Sequence, residues 1–175
     1  DVNGDGLTWN IKINPEAKWE NGDPINADTF MYTMKMGLDP KLVLPKGSSI
    51  ADSYIEVVNA EAYYGQGTEG APAVAWEDVG FKKIDEYTVQ VTVTYQVDAD
   101  LVMRHFSFRT GPIYQPLFEE CLSADGTTTT YYKYFSPMDA VKVDENGNQL
   151  YNSDGTKMIN DERVKATRAA VDNYK

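Results

Sequence analysis

Thiols and imidazoles are nearly absent: the chain has one cysteine, Cys121, and one histidine, His105, in 175 residues. A single cysteine excludes an internal disulfide, and one soft thiolate with one imidazole falls short of a zinc ligand set. A serine nucleophile would find only His105 as its base, and no Gly-x-Ser-x-Gly elbow is present. A thiol–imidazole pair would need Cys121 and His105 to meet, and nothing in their spacing asks for it. His105 beside Phe106 is expected to pack, and Cys121 to be an inert core residue. Glu119 and Glu120 cannot act as an opposed acid pair, because adjacent residues on a helix do not face each other. No glycine loop is built to cradle phosphate: Gly65-Gln66-Gly67, followed by Gly70, leads into no helix. Cations are also scarce. Sixteen Lys and Arg against 27 Asp and Glu leave a net charge of -11, which repels phosphate backbones and excludes nucleic acid as a partner. No apolar run approaches the length that spans a bilayer. The expectation is a non-enzyme with no cofactor and no metal.

Asp1-Val2-Asn3-Gly4-Asp5-Gly6 has the opening of a calcium loop, and dockerin-type repeats begin in the same way. The twelfth position, where the oxygen cage needs a carboxylate, is Lys12, and Trp9-Asn10-Ile11 reads as strand. A turn leading into the first strand is the reading adopted.

What is present organises around Leu7–Met36. Leu7, Trp9, Ile11 and Ile13 alternate with Thr8, Asn10 and Lys12, a period-two strand with one buried face. Trp19-Glu20-Asn21-Gly22-Asp23-Pro24 is a turn, since Asn-Gly tolerates positive φ and Pro24 stops a strand. Asn26 stands at the N-cap of a helix, Asp28 favours its positive end, and Phe30, Met34 and Leu38 recur at helical spacing. Trp9 and Trp19 are expected to support this strand–turn–helix core.

After Asp39–Gly47, Ser48 or Ser49 is expected to cap a second helix running through Tyr54 and Val57 towards Tyr64, ended by Gly65. Gln66–Ala75 reads as a mobile loop. Val79–Ile84 and Thr88–Tyr95 read as antiparallel strands joined by Asp85-Glu86, with Val89, Val91, Val93 and Tyr95 on one face. Short helices are expected over Ala99–Phe106 and Gln115–Leu122. Gly126–Tyr132 is β-prone, turns at Asp144–Gly147 and Asn152–Gly155 predict a hairpin or three-stranded meander, and Asn160–Tyr174 closes as a helix.

Two of these stretches carry a family resemblance. Lys18, Trp19, Asn21, Gly22, Pro24, Ala27 and Phe30, set between a strand and a helix, resemble a motif of the extracellular solute-binding proteins of the oligopeptide/dipeptide ABC-transporter class. Val79-Gly80-Phe81-Lys82-Lys83-Ile84-Asp85-Glu86-Tyr87-Thr88-Val89-Gln90-Val91 is similar to a hairpin of the same family, and the resemblance covers about Leu7 to Leu122. It implies an α/β fold (α+β type), a mixed, mainly antiparallel sheet flanked by helices: the minor lobe of a class II periplasmic-binding protein. The expected division is a lobe core over 1–122, a β-hairpin or meander insertion over 123–159 and a C-terminal helix over 160–175.

The resemblance also implies a role: capture of peptides or similar small solutes outside the membrane, delivery to an ABC permease, and no catalysis. It implies a periplasmic or extracellular location, with a lipid anchor in the full-length protein. In this family a further segment precedes Leu7 and a long second half follows, so the chain, with no initiating Met, is expected to be a fragment. Some peptide binders place a tyrosine facing ligand near the start of the second helix. An ungapped comparison puts Ser48 there, with Ser49 beside it and Tyr54 the nearest aromatic, and these are the candidate substrate-binding residues. Exposed strands of a truncated lobe would allow strand-mediated self-association. The rival reading is a cell-surface carbohydrate-binding or dockerin-like calcium-binding module, which twelve tyrosines and three tryptophans would suit through stacking. An acidic glycosidase accessory domain ranks below both.

Overall fold

The computed structural model describes residues 1–42, 44, 47, 50–51, 55–108, 111–127 and 142–160. It divides into two compact units, Asp1–Leu117 and Phe118–Lys175.

The first unit is built on a three-stranded sheet of order β1-β3-β2, with β1 over Thr8–Lys12, β2 over Phe81–Asp85 and β3 over Thr88–Thr92. Both pairings are antiparallel, Trp9 opposite Val91 and Phe81 opposite Val91, with an irregularity between Lys83 and Asp85. The alternation read from the sequence holds in the centre: Val89, Val91 and Val93 are buried while Thr88, Gln90 and Thr92 stay partly exposed. It fails at Tyr95, which is 43% exposed. Strand β3 ends at Thr92; the Val93 amide still donates to the Leu7 carbonyl and the Thr94 amide to the Glu56 carbonyl, and the chain then turns so that the Val97 amide donates to the Gly6 carbonyl. A strand that stops early releases its last alternate residue from the core face.

Helix α1 (Ala27–Gly37) covers the valine face, with Met34 and Leu38 fully buried. Asn26 caps it as expected: its Oδ1 accepts the amides of Asp28 and Thr29 at 3.0 and 3.2 Å, and its own amide donates to Thr29 Oγ1. Two first-turn amides that the helix cannot satisfy are thereby paired. Phe30 meets Phe81 and Phe106 at ring separations of 6.0 and 5.8 Å, within the range where tilted aromatic pairs attract.

The expected continuous second helix is broken. Val57 bridges Val93, the Val58 amide donates to the Thr92 carbonyl, and the Gly80 amide donates to the Val58 carbonyl. Val57 and Val58 are therefore drawn onto the sheet, where β-branched side chains pack well. A short helix α2 (Ala60–Gly65) restarts from Asn59, whose φ of +59° is left-handed. The helix ends at Gly65 without the left-handed glycine cap expected, and Gln66 follows in the right-handed region. Gln66–Ala75 is the loop expected, closed by the Gln66 carboxamide accepting the Val74 amide.

Helix α3 (Ala99–Phe108) follows the sheet. Val102 and His105 are buried on it, with His105 edge-on to Phe106 at 4.7 Å, while Met103 is 59% exposed. Helix α4 (Gln115–Cys121) comes next and contains the buried Phe118 and Cys121. In the second unit the two expected turns form with Gly147 and Gly155 at φ of +84° and +82°. Val143 bridges Gln149 and Tyr151 bridges Lys157. The Leu150, Met158 and Lys142 amides donate in turn to Lys142, Leu150 and Met158 carbonyls, so the three segments close a triangle instead of a flat meander. Residues 161–174 of the expected helix over Asn160–Tyr174, and residues 128–132 of the β-prone stretch Gly126–Tyr132, lie outside the described residues.

Gly80 shows why the hairpin motif holds glycine. A Cβ there would overlap the Thr92 carbonyl oxygen and press on Val57 and the Val58 amide. Gly80→Ala is expected to destabilise the chain by about 1–3 kcal/mol through overpacking, read as a lower urea midpoint; an unchanged midpoint would show that the junction yields. Met34→Ala, which empties a fully buried site, is expected to cost about 2–5 kcal/mol with the denaturant slope preserved.

Candidate functional site

The two motif stretches meet. The Ala27 amide, at the mouth of α1, donates to the Glu86 carbonyl, and the Ile13 amide donates to the Tyr87 carbonyl, at 2.9 and 2.8 Å. Lys83 Nζ lies 2.7 Å from both carboxylate oxygens of Asp28. Both partners are substantially exposed, so this pair registers the hairpin against the helix and adds little stability. Asp85 folds the β2–β3 turn by accepting the Tyr87 amide, which together with Thr88 holds its carboxyl below the usual range.

Beside this junction lies a polar and aromatic corner. The Trp19–Asp23 loop is closed by the Trp19 amide donating to the Asp23 carbonyl and the Gly22 amide to the Trp19 carbonyl, with Gly22 at φ +91°. Asn21 Oδ1 accepts the Asp23 amide while its Nδ2 donates to Asp23 Oδ2 at 2.8 Å and to the Tyr114 hydroxyl oxygen at 2.6 Å. The Tyr114 hydroxyl in turn donates to Asp23 Oδ2 at 2.6 Å. Trp19 and Tyr114 pack with ring centroids 5.1 Å apart, so Trp19 supports this corner, at the turn of the strand–turn–helix. The segment carrying Tyr114 is pinned from below, because the Ile113 amide donates to Thr33 Oγ1, which itself donates to the Thr29 carbonyl. A shallow depression of about 160 Å³ opens between Trp19, Asp28, Thr29, Tyr114 and Pro116.

The electrostatics of the corner decide what it can do. The Tyr114 hydroxyl, then Asn21, hold the Asp23 carboxyl below its ordinary range, and the Asp23 hydrogen bond pushes the Tyr114 phenol above its own. Both groups are moved away from neutrality, the opposite of what proton transfer near pH 7 requires. The corner can bind and orient; it is not set up as an acid–base site.

The candidate substrate residues Ser48, Ser49 and Tyr54 lie outside the described residues; among their described neighbours Ile50, Ala51 and Ile55 are buried. At the chain start, the Asp1 carboxylate accepts the Asn3, Gly4 and Gly6 amides, and Asp5 accepts the Leu7 amide. These acids serve as turn formers, as the sequence reading has it. Tyr114 was not singled out from sequence: its partner Asp23 is 91 residues away, and no local pattern reports such a contact.

The sequence profile of the bacterial extracellular solute-binding proteins, family 5 (middle region), matches residues 1–154. The periplasmic oligopeptide-binding protein OppA of Escherichia coli is 28% identical over 95 residues, 54% of this chain and 16% of that protein. The dipeptide-binding protein DppE of Bacillus subtilis is 37% identical over 93 residues, 53% of this chain and 15% of that one. Among solved structures, Haemophilus influenzae OppA in complex with RPPGFSPFR aligns at a TM-score of 0.55 and 26% identity, covering 70% of this chain and 22% of that one. A periplasmic oligopeptide-binding protein of Borrelia burgdorferi aligns over 99% of this chain and 35% of its own, at a TM-score of 0.55 and 15% identity, a likeness of fold alone. The chain thus spans 15–16% of the length of these curated relatives.

The coupled shifts at the corner give a signed prediction. Asp23, with its lowered value, stabilises the fold above the unfolded carboxyl range and loses that contribution as pH falls through its folded value. Tyr114, with its raised value, contributes below the unfolded phenol range and loses it as pH rises through its folded value. Tyr114→Phe is expected to move the Asp23 carboxyl midpoint up towards its ordinary value in a ¹³C NMR titration. A midpoint that stays where it is would show that Asn21 alone sets it.

Proposed function

This chain belongs to the bacterial extracellular solute-binding proteins, family 5, and we propose that it forms one wall of a receptor that captures peptides and passes them to an ABC permease. The observation that carries the reading is the profile match over residues 1–154, with both motif stretches meeting at the Asn26–Asp28 and Lys83–Tyr87 junction. Relatives named for oligopeptide and dipeptide binding and a neighbour solved with a nonapeptide favour peptide as the solute class. The role is non-catalytic. The titratable corner has its acid and phenol displaced from neutrality in opposite directions, and His105 is packed against Phe106.

In this reading residues 1–122 are the minor lobe, 123–159 an insertion and 160–175 a helix closing it. Ser48, Ser49 and Tyr54 stand nearest the solute, and the full-length protein works outside the cytoplasmic membrane on a lipid anchor. A cleft grips a peptide through groups converging from two walls, so one wall alone holds little affinity.

Thermal melting against a peptide library tests this. The full-length protein is expected to be stabilised by RT ln(1 + [L]/Kd), about 2.7 kcal/mol at a hundredfold excess over Kd, while the 175-residue chain stays unshifted. Equal stabilisation of the 175-residue chain would place the site within this wall alone and overturn the proposal.

A further inference from the structure

Three asparagines precede a glycine: Asn3, Asn21 and Asn146. Such a pair is chemically labile, because a glycine without Cβ leaves its nitrogen open to the neighbouring carboxamide carbon. The fold treats the three differently. Asn21 is held at both ends: its Oδ1 accepts the Asp23 amide, and its Nδ2 donates to Asp23 Oδ2 and to the Tyr114 hydroxyl oxygen. The Asn3 side chain makes no hydrogen bond among the described residues, but the Gly4 nitrogen that would attack it donates to the Asp1 carboxylate at 2.9 Å. That charge-assisted bond holds the proton on nitrogen. Asn146 has neither restraint. It is exposed, its carboxamide makes no hydrogen bond among the described residues, and the Gly147 nitrogen donates to the main-chain carbonyl of Asp144 at 3.1 Å.

The neighbouring hairpin supplies a comparison within the same unit. Asp144–Asn148 and Asn152–Thr156 close alike, the first amide of each donating to the last carbonyl at 2.9 and 2.8 Å, with Gly147 and Gly155 both at positive φ. Asn146 stands in one turn where Asp154 stands in the other. Asp154 Oδ1 accepts the Thr156 amide and hydroxyl, and these bonds favour its ionised form. An ionised carboxylate resists attack by an amide nitrogen, so of two matching turns only the first carries a reactive carbonyl carbon.

We propose that Asn146 is a self-modification site, converting to aspartate and isoaspartate with water as the only co-reactant, ahead of Asn3 and Asn21. Hydroxide takes the proton from the Gly147 nitrogen, which bonds to Asn146 Cγ; the Cγ–Nδ2 bond breaks and ammonia leaves. Water then opens the five-membered imide at either carbonyl, giving aspartate or isoaspartate. The aspartate product has the residue that the second turn already holds, and the hairpin keeps its form. The isoaspartate product routes the main chain through Cγ and adds a carbon to a loop whose ends are fixed by the Asp144–Asn148 bond. The Asp144 carboxylate then no longer reaches both the Asn146 and Asn148 amides, and the Val143–Gln149 bridge loosens.

Tryptic mass mapping of the protein aged at mildly alkaline pH tests this. The three pairs fall in separate peptides, Asp1–Lys12, Trp19–Lys35 and Val143–Lys157. Val143–Lys157 is expected to gain the amide-to-acid mass at Asn146, as two chromatographic forms. Its rate is expected to be about tenfold or more above that of Asn21, whose three hydrogen bonds must open first. Asn3 or Asn21 converting as fast as Asn146 overturns the proposal. In guanidinium chloride the three rates are expected to converge, and a spread that persists there would assign the difference to local sequence and overturn the structural argument. Tyr114→Phe supplies the second arm: it removes one bond to Asn21 Nδ2 and is expected to speed Asn21 alone. An Asn21 rate unmoved by it would overturn the protection assigned to the clamp.

Discussion

Strand β3 is the constraint on which the first unit depends. Its odd residues bond to β1 and its even residues to β2 and Gly80, so its backbone is satisfied on both sides. Its valines at the same time make the floor of the core. A strand buried this way admits one register, because a slip by one residue would turn Val89 and Val91 to solvent and Gln90 inward. The position of α1 follows. Its cap joins the Glu86 carbonyl at the β2–β3 turn, and Phe30 and Met34 reach the valine face from there.

The same strand explains a conflict between local and global preference. Val57 and Val58 lie within a stretch whose apolar spacing suits a helix, yet they pair with Val93 and Thr92. The end of β3 needed partners, and a β-branched pair supplied them at the cost of the helix. Asn59 then takes the left-handed conformation that lets the chain turn back into α2, with its side chain donating to the Asp78 carbonyl. Gly80 completes the junction because only a residue without Cβ lets three backbones approach so closely.

Among the described residues, several aspartates are spent on holding turns. Asp1, Asp85, Asp144 and Asp154 each accept backbone amides within a few residues, and Asp125, drawn down to about 2 by Ser123 and Thr127, does the same. These five carboxylates spend their acceptor capacity on turn amides and hydroxyls, so their charge serves the local fold.

From sequence alone the strand–turn–helix of Leu7–Met36, the Asn26 cap, the valine strand, both tight turns of the second unit and the family could be read. Each rests on local chemistry: side-chain period, an N-cap oxygen, an Asn-Gly or Asp-Gly pair. The break at Val57, the exposure of Tyr95, the triangular closure of residues 142–158 and the Asp23–Tyr114 clamp could not. The break at Val57 and the Asp23–Tyr114 clamp were decided by partners tens of residues away, Tyr95 by where a strand stops, and the triangle by three segments 8 to 16 residues apart closing on one another, and none of these leaves a periodic trace in the chain. Ser48, Ser49 and Tyr54 came from comparison with the family and remain proposals of that comparison. Sequence determined the elements and their chemistry; tertiary structure decided which element won where two claimed the same residues, because backbone hydrogen bonds must all be met at once.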